Sequence, residues 1–362
     1  MYNCLKIYLL IKKYMWNNKM NSNLIFNPKW NDDTLARSII KWNTTGLFQL
    51  NDTKYNWAKS LYQVMVWNFW VPEKVWGLSE DAIQFKTELS EGEKRAYKWI
   101  LSFLIFLDSI QTVNLPHFND YITAPEVNLI LSIQAYQEAI HSQSYSVLLE
   151  TVVDSKDRDE IYYFWRDDKH LLERNEFIWW IYQEFIDNPT DKAFFRWIIW
   201  NFLLESIYFY NWFAFFDTLA DQAKMVASDR MISYIRRDEL THITIFANII
   251  KDIKKEFPDI YDENIIYDMF KTAVSQEIKW SKHILWNSVI WMTNENIENY
   301  TKWLANGRLN LLGLDPLYEW VLTNPFKHLD RFQDNNWEKW NFFESTVVNY
   351  AQSSAMNWSW DF

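Results

Sequence analysis

At 362 residues, 49% of them hydrophobic, the chain can build one large helical domain or two smaller ones around a sizeable core. A formal net charge of −11 argues against nucleic acid as the main partner. The single cysteine, Cys4, excludes a disulfide framework, a thiolate zinc site and a dithiol redox cycle within the chain, and fits a reducing, cytoplasmic setting.

The N-terminal segment 1–30 holds one short apolar stretch, Ile7 to Ile11, between lysines. It is too short to span a bilayer and no small-residue cleavage site follows it. It reads as a disordered arm or as upstream reading frame, with Met20 the true start.

From there to about residue 325 few Gly or Pro interrupt long periodic segments, which predicts an all-α domain over 31–325. Helices are expected near 51–68, 90–115, 125–153, 157–187, 191–220, 222–255 and 262–292, with shorter ones after 294. Ser90-Glu91-Gly92-Glu93 supplies a cap and early acids, Pro125 suits a first helical position, and Asn188-Pro189-Thr190-Asp191 ends one helix and caps the next. The stretch Phe194 to Phe216 is apolar enough to suggest a membrane span. Glu205 near its centre favours instead a helix buried on all sides, because a carboxylate at mid-bilayer is costly. Residues 326–362 change character and read as a flexible C-terminal tail.

The chemistry sits in two words of one pattern, Glu138-Ala139-Ile140-His141 and Glu239-Leu240-Thr241-His242. Three residues along a helix place carboxylate and imidazole on one face. Two such helices, with one more carboxylate from each of two others, make the carboxylate-bridged di-metal box of a ferritin-like helical bundle. Asp108 and Glu205 supply those carboxylates from apolar runs, where a lone charge is too costly to bury unpaired. Asp108, Glu138 and His141 are expected to hold one metal and Glu205, Glu239 and His242 the other, with Glu138 and Glu239 bridging. Oxygen-rich, thiolate-free ligation suits two Fe or two Mn ions. Tyr145 lies four residues after His141, on the metal-facing side of the same helix. A phenol there can be oxidised by one electron when the metal pair activates O2. The histidines His117, His170, His283 and His328 lack such partners and receive no role.

Leu107-Asp108-Ser109-Ile110-Gln111, Glu138 through Tyr145, Arg237-Asp238-Glu239-Leu240-Thr241-His242 and, upstream, Asn68-Phe69-Trp70-Val71-Pro72-Glu73-Lys74-Val75 resemble the small, radical-generating subunit of class I ribonucleotide reductase. The resemblance runs in order from about residue 30 to the C-terminus. It implies a stable radical on Tyr145, shielded by a pocket that includes Phe209 and Phe213. It implies a route from His141 through Asp238 and Trp70 toward the surface, continued by a tail tyrosine best matched by Tyr350. Trp360-Asp361-Phe362 is similar to the aromatic-acidic ends with which such tails dock. A homodimer, a separate large subunit that binds nucleotides and, for manganese, a flavoprotein activator are the implied partners, with neither nucleic acid nor membrane. The lone cysteine agrees, since the reduction itself needs a cysteine pair that this chain lacks.

A ligand-binding di-metal oxidase of the same fold would share the box without the radical tyrosine or the docking tail. A membrane-associated quinol oxidase would not account for the Asp108-Ser109-Ile110-Gln111 word, nor a storage protein for the Trp70 route. One statistic stands apart: 23 Trp against 5 Gly, where about 7% Gly is usual. Trp42, Trp67 and Trp212 stand where the resemblance suggests a small residue. Overfilling a core costs about 1–3 kcal/mol each time. The expectation is that UGA is read as glycine in the source organism and that these positions are glycine in the native chain, with Trp70 a true tryptophan.

Overall fold

The computed structural model describes residues 27–29, 34–330 and 332. Tyr350, the Trp360-Asp361-Phe362 end and the segment around Met20 lie outside the described residues. Among those described, the chain is helical with no strand, only an isolated antiparallel bridge between Ile40 and Ile122. The helices are α1 Asn56–Trp67, α2 Leu78–Thr87, α3 Glu91–Asn119, α4 Pro125–Val152, α5 Ser155–Asp167, α6 Lys169–Asp187, α7 Asp191–Leu203, α8 Tyr210–Asp221, α9 Val226–Glu256, α10 Glu263–Leu285 and α11 Asn294–Leu311.

Local chemistry sets several boundaries as expected. Ser90 and Glu93 form a reciprocal capping box at the start of α3. Pro125 opens α4, and the Thr190 hydroxyl accepts from the Ala193 amide to start α7.

Other boundaries differ from the periodic reading. The expected helix 157–187 divides at Asp168, whose extended backbone stops α5 and whose side chain accepts from the Leu171 amide to cap α6. The expected helix 191–220 is interrupted by a π-helical turn, Leu204–Tyr208, which carries Glu205. The first helix begins at Asn56 rather than 51, and α2 was not expected at all. Asp81 of α2 accepts from the Ala227 and Ser228 amides at 3.3 and 2.6 Å, so this short helix caps the N-terminus of α9. Gly77, with φ +97, makes the entry to α2 and has Ala227 against the space where a Cβ would stand.

Helices α3 and α4 pack along each other, and α9 crosses against α7, α8 and the π turn. Residues from Phe194 through Phe216 are almost all inaccessible to solvent, with Arg196 half-buried at the edge; this segment is the centre of the core. The one described helix long and apolar enough to cross a membrane by composition is α3, which carries the fully buried Asp108.

Packing does not bear on the tryptophans as volume alone suggested. Trp67 is 86% exposed and overfills nothing, and Trp42 is half-buried. Trp212 is enclosed by Phe103 and Trp280, with ring centroids at 6.4 and 6.3 Å, and its buried indole N–H has no partner. The backbone gives a sharper signal elsewhere. Trp286 caps α10 at φ 43 and Trp291 follows at φ 64, both left-handed. A bulky side chain there is an outlier costing about 1–2 kcal/mol, and a helix end of this kind usually carries glycine. Mass spectrometry of the protein from its native source should therefore find glycine at 212, 286 and 291; tryptophan at all three would end the idea.

Candidate metal centre

Four chain segments bring the carboxylates and imidazoles together: α3 with Asp108, α4 with Glu138 and His141, the π turn with Glu205, and α9 with Glu239 and His242. All six side chains are fully buried. They fall into two overlapping groups able to hold an ion each, Asp108, Glu138, His141 and Glu239, and Glu138, Glu205, Glu239 and His242.

The distances give each residue a place. His141 Nδ1 lies 3.4 Å from Glu138 Oε2 and 3.1 Å from Glu239 Oε1. His242 Nδ1 lies 3.1 Å from Glu138 Oε1 and 2.8 Å from Glu239 Oε2. Each of these glutamates thus turns one oxygen to each histidine, the disposition of a bridging ligand. Asp108 Oδ2 lies 3.9 Å from His141 Nδ1, and Glu205 Oε2 lies 3.9 Å from His242 Nδ1, so each terminal acid belongs to one half.

The centre has the donors of a metal pair and lacks other partners for them. Both Asp108 oxygens, Glu138 Oε2, Glu205 Oε2, Glu239 Oε1 and His141 Nδ1 have no hydrogen-bond partner. An orphaned buried polar atom costs about 1–3 kcal/mol, more when charged, against a net stability of roughly 5–15 kcal/mol. A fold does not collect such atoms in one place unless a ligand satisfies them, and two hard cations fit.

Without metal the cluster shares protons instead. Burial, then the charges of Glu138 and Glu239, push Asp108 and Glu205 well above the usual carboxylate range. Burial opposes ionisation of Glu239 and Glu138 as well, but the neighbouring histidines hold both below their ordinary values. Burial disfavours the imidazolium of His141 and His242, yet facing carboxylates raise both well above the ordinary histidine range. Metal binding must displace these protons.

Around the centre, Trp70 Nε1 donates to Asp238 Oδ2 at 2.7 Å, and the same oxygen lies 3.3 Å from His141 Nε2. The Trp70–Asp238–His141 link is therefore continuous, and Trp70 is half-buried at its outer end. Tyr145 is fully buried and its hydroxyl has no hydrogen-bond partner. Burial first, then the charge of Asp108, raises its phenol well above the ordinary range. Phe209 and Phe213 are buried in the same core, their rings 6.1 Å apart.

Sequence reasoning passed over three amides. Gln111 and Gln134 both donate to Glu205 Oε1, at 2.7 and 3.1 Å, and Gln137 Oε1 lies 3.0 Å from His242 Nε2. Their positions carried a weak signal: Gln111 is three after Asp108, and Gln134 four before Glu138. Tyr182, also unmarked, donates to Gln111 Oε1 at 2.8 Å. His283, which received no role, lies with Nε2 2.9 Å from Asp168 Oδ2.

Residues 47–325 match the family model described as ribonucleotide reductase, small chain. The chain is 41% identical to the ribonucleoside-diphosphate reductase subunit beta of Treponema pallidum, over 92% of this chain and 95% of that one. The corresponding subunit of Halalkalibacterium halodurans is 37% identical over 89% and 94%. Among solved structures, the ribonucleotide reductase R2 subunit from Clostridium botulinum superposes with a TM-score of 0.82 at 45% identity, covering 86% of this chain and 98% of that one. The dimanganese(II) NrdF of Streptococcus sanguinis, 22% identical with a TM-score of 0.70 over 79% of this chain and 98% of that one, shares the fold.

Proposed function

The chain belongs to the ribonucleotide reductase small-chain family and is the small subunit of a class I ribonucleoside-diphosphate reductase; from that premise we propose that its buried centre oxidises Tyr145 to a radical that is passed to the large subunit. The family sets aside the ligand-binding oxidase and storage readings. The observation that carries the proposal is the set of orphaned ligand atoms facing one another beside the unpartnered Tyr145 hydroxyl.

In this reading Asp108, Glu138 and His141 hold one metal and Glu205, Glu239 and His242 the other, with Glu138 and Glu239 shared. Two iron or two manganese ions, once bound, would activate the oxidant, O2; manganese would call for a flavoprotein activator. The protein's own part is to keep the phenol neutral and dry until it is oxidised. A pocket that includes Phe209 and Phe213 would slow quenching of a radical by keeping hydrogen-atom donors away from it. Asp238 accepts from both Trp70 and His141, so it fixes the imidazole orientation and offers a proton acceptor when the indole gives up an electron. Tyr350, outside the described residues, would extend the route to the large subunit, which supplies the cysteine pair this chain lacks.

Trp70→Phe and Tyr350→Phe should each retain the resting Tyr145 radical by electron paramagnetic resonance while failing to support nucleotide reduction with the large subunit. Full turnover in Trp70→Phe would remove the indole from the route. Full turnover in Tyr350→Phe would overturn only the tail assignment.

A further inference from the structure

The two histidines of the centre are alike on their inner side and unlike on their outer side. Each turns Nδ1 toward the shared glutamates, so each must carry its proton on Nε2 when it ligates. His141 Nε2 faces a carboxylate, Asp238, at 3.3 Å. His242 Nε2 faces a neutral amide oxygen, that of Gln137, at 3.0 Å. Gln137 is nearly fully buried and immediately precedes Glu138, so the backbone that carries a bridging ligand also carries this contact. Gln137 and Asp238 further line one cavity, of about 340 Å³, together with Asn68, Trp70 and Tyr136.

We propose that Gln137 is a positioning residue for the metal held by Glu205, Glu239 and His242: its amide oxygen fixes the ligating tautomer of His242, and its neutrality makes that half of the centre differ from the half backed by Asp238. An imidazole whose Nε2–H is accepted by a fixed oxygen is held in orientation and made a better donor at Nδ1. A carboxylate partner does this more strongly than an amide. Replacing the amide by an apolar group of similar length leaves the buried N–H unsatisfied and frees the ring to adopt the tautomer that cannot ligate. The other histidine keeps its own partner, so the effect is confined to one ion.

The inference rests on the two-metal reading above, and manganese binding separates the two. Mn(II) is titrated into the metal-stripped full chain, and free ion is followed by its electron paramagnetic resonance signal. The parent should bind two ions. Gln137→Met should weaken one of them 10–100-fold and leave the other unchanged, the weakened ion being the one that His242→Ala loses. Gln137→Glu keeps the volume and an acceptor oxygen, and should bind that ion as tightly as the parent or up to about tenfold tighter. Parent-like affinity for both ions in Gln137→Met would overturn the proposal. So would a folded Gln137→Glu that binds as weakly as the methionine variant. A parent that binds fewer than two ions would instead overturn the metal assignment on which the proposal stands.

Discussion

Tyr145→Phe is expected to load two metals and consume O2, yet to show no tyrosyl signal and no turnover with the large subunit. The substitution removes one oxygen atom from a side chain that is fully buried and whose hydroxyl bonds to nothing. Losing an unpartnered hydroxyl carries no hydrogen-bond cost, so stability should stay within about 0.5 kcal/mol of the parent. The chemical loss is complete, because a phenyl ring has no dissociable proton and is far harder to oxidise than a phenol. With the phenol raised well above its ordinary value, first by burial and then by the charge of Asp108, the electron must leave together with the proton. Turnover should fall to background while metal stoichiometry and helical content stay at parent values. An unchanged radical in the variant would move the site to another tyrosine, and Tyr182, buried and donating to Gln111, would be the next to replace.

The second large effect is expected at the ligands. Glu205→Ala and His242→Ala should each abolish loading of the full metal pair while leaving the helical fold intact. Glu205 sits on the π turn, presenting Oε2 without a partner and Oε1 to the amides of Gln111 and Gln134. Its removal strands the buried Gln111 amide donor, at about 1–3 kcal/mol, while the Gln134 amide keeps Glu138 Oε1 at 3.2 Å. It also removes a carboxyl whose burial, together with the charges of Glu138 and Glu239 beside it, opposes its ionisation in the metal-free protein. These effects oppose each other, so the metal-free variant should fold with a melting temperature near that of the parent. The metal site cannot be rescued in this way, since one half loses its only terminal carboxylate. Two metals at full occupancy in either variant, measured by elemental analysis, would refute the ligand assignment.

The cluster of carboxylates and histidines was legible in the sequence because its logic is periodic. A glutamate and a histidine three residues apart share a helix face whatever the surrounding fold, and doing this twice leaves little else for the chain to build. That Glu138 and Glu239 would bridge was expected from the box of a ferritin-like bundle, and in the structure their oxygens divide between the two histidines. The link from Trp70 to Asp238 spans 168 positions and no local pattern encodes it; it came from the family resemblance. The amides of Gln111, Gln134 and Gln137 were not found because a glutamine in an apolar helix has many possible partners and no signature spacing. The π turn is equally silent, as one extra residue in a turn leaves the apolar run around Glu205 unchanged. The break at Asp168 had a local signal, an aspartate able to cap, which the continuing apolar periodicity on both sides masked. No side-chain volume marks the tryptophans at 286 and 291; their positive φ values are a property of the folded chain alone.

The most direct measurement is electron paramagnetic resonance of the full chain, loaded with iron, exposed to O2 and prepared in parallel with ordinary and ring-deuterated tyrosine. The account predicts an organic radical whose hyperfine structure collapses on deuteration and which is absent from Tyr145→Phe. A protein that binds two irons and consumes O2 but yields no such radical, or one whose signal ignores tyrosine labelling, would contradict it.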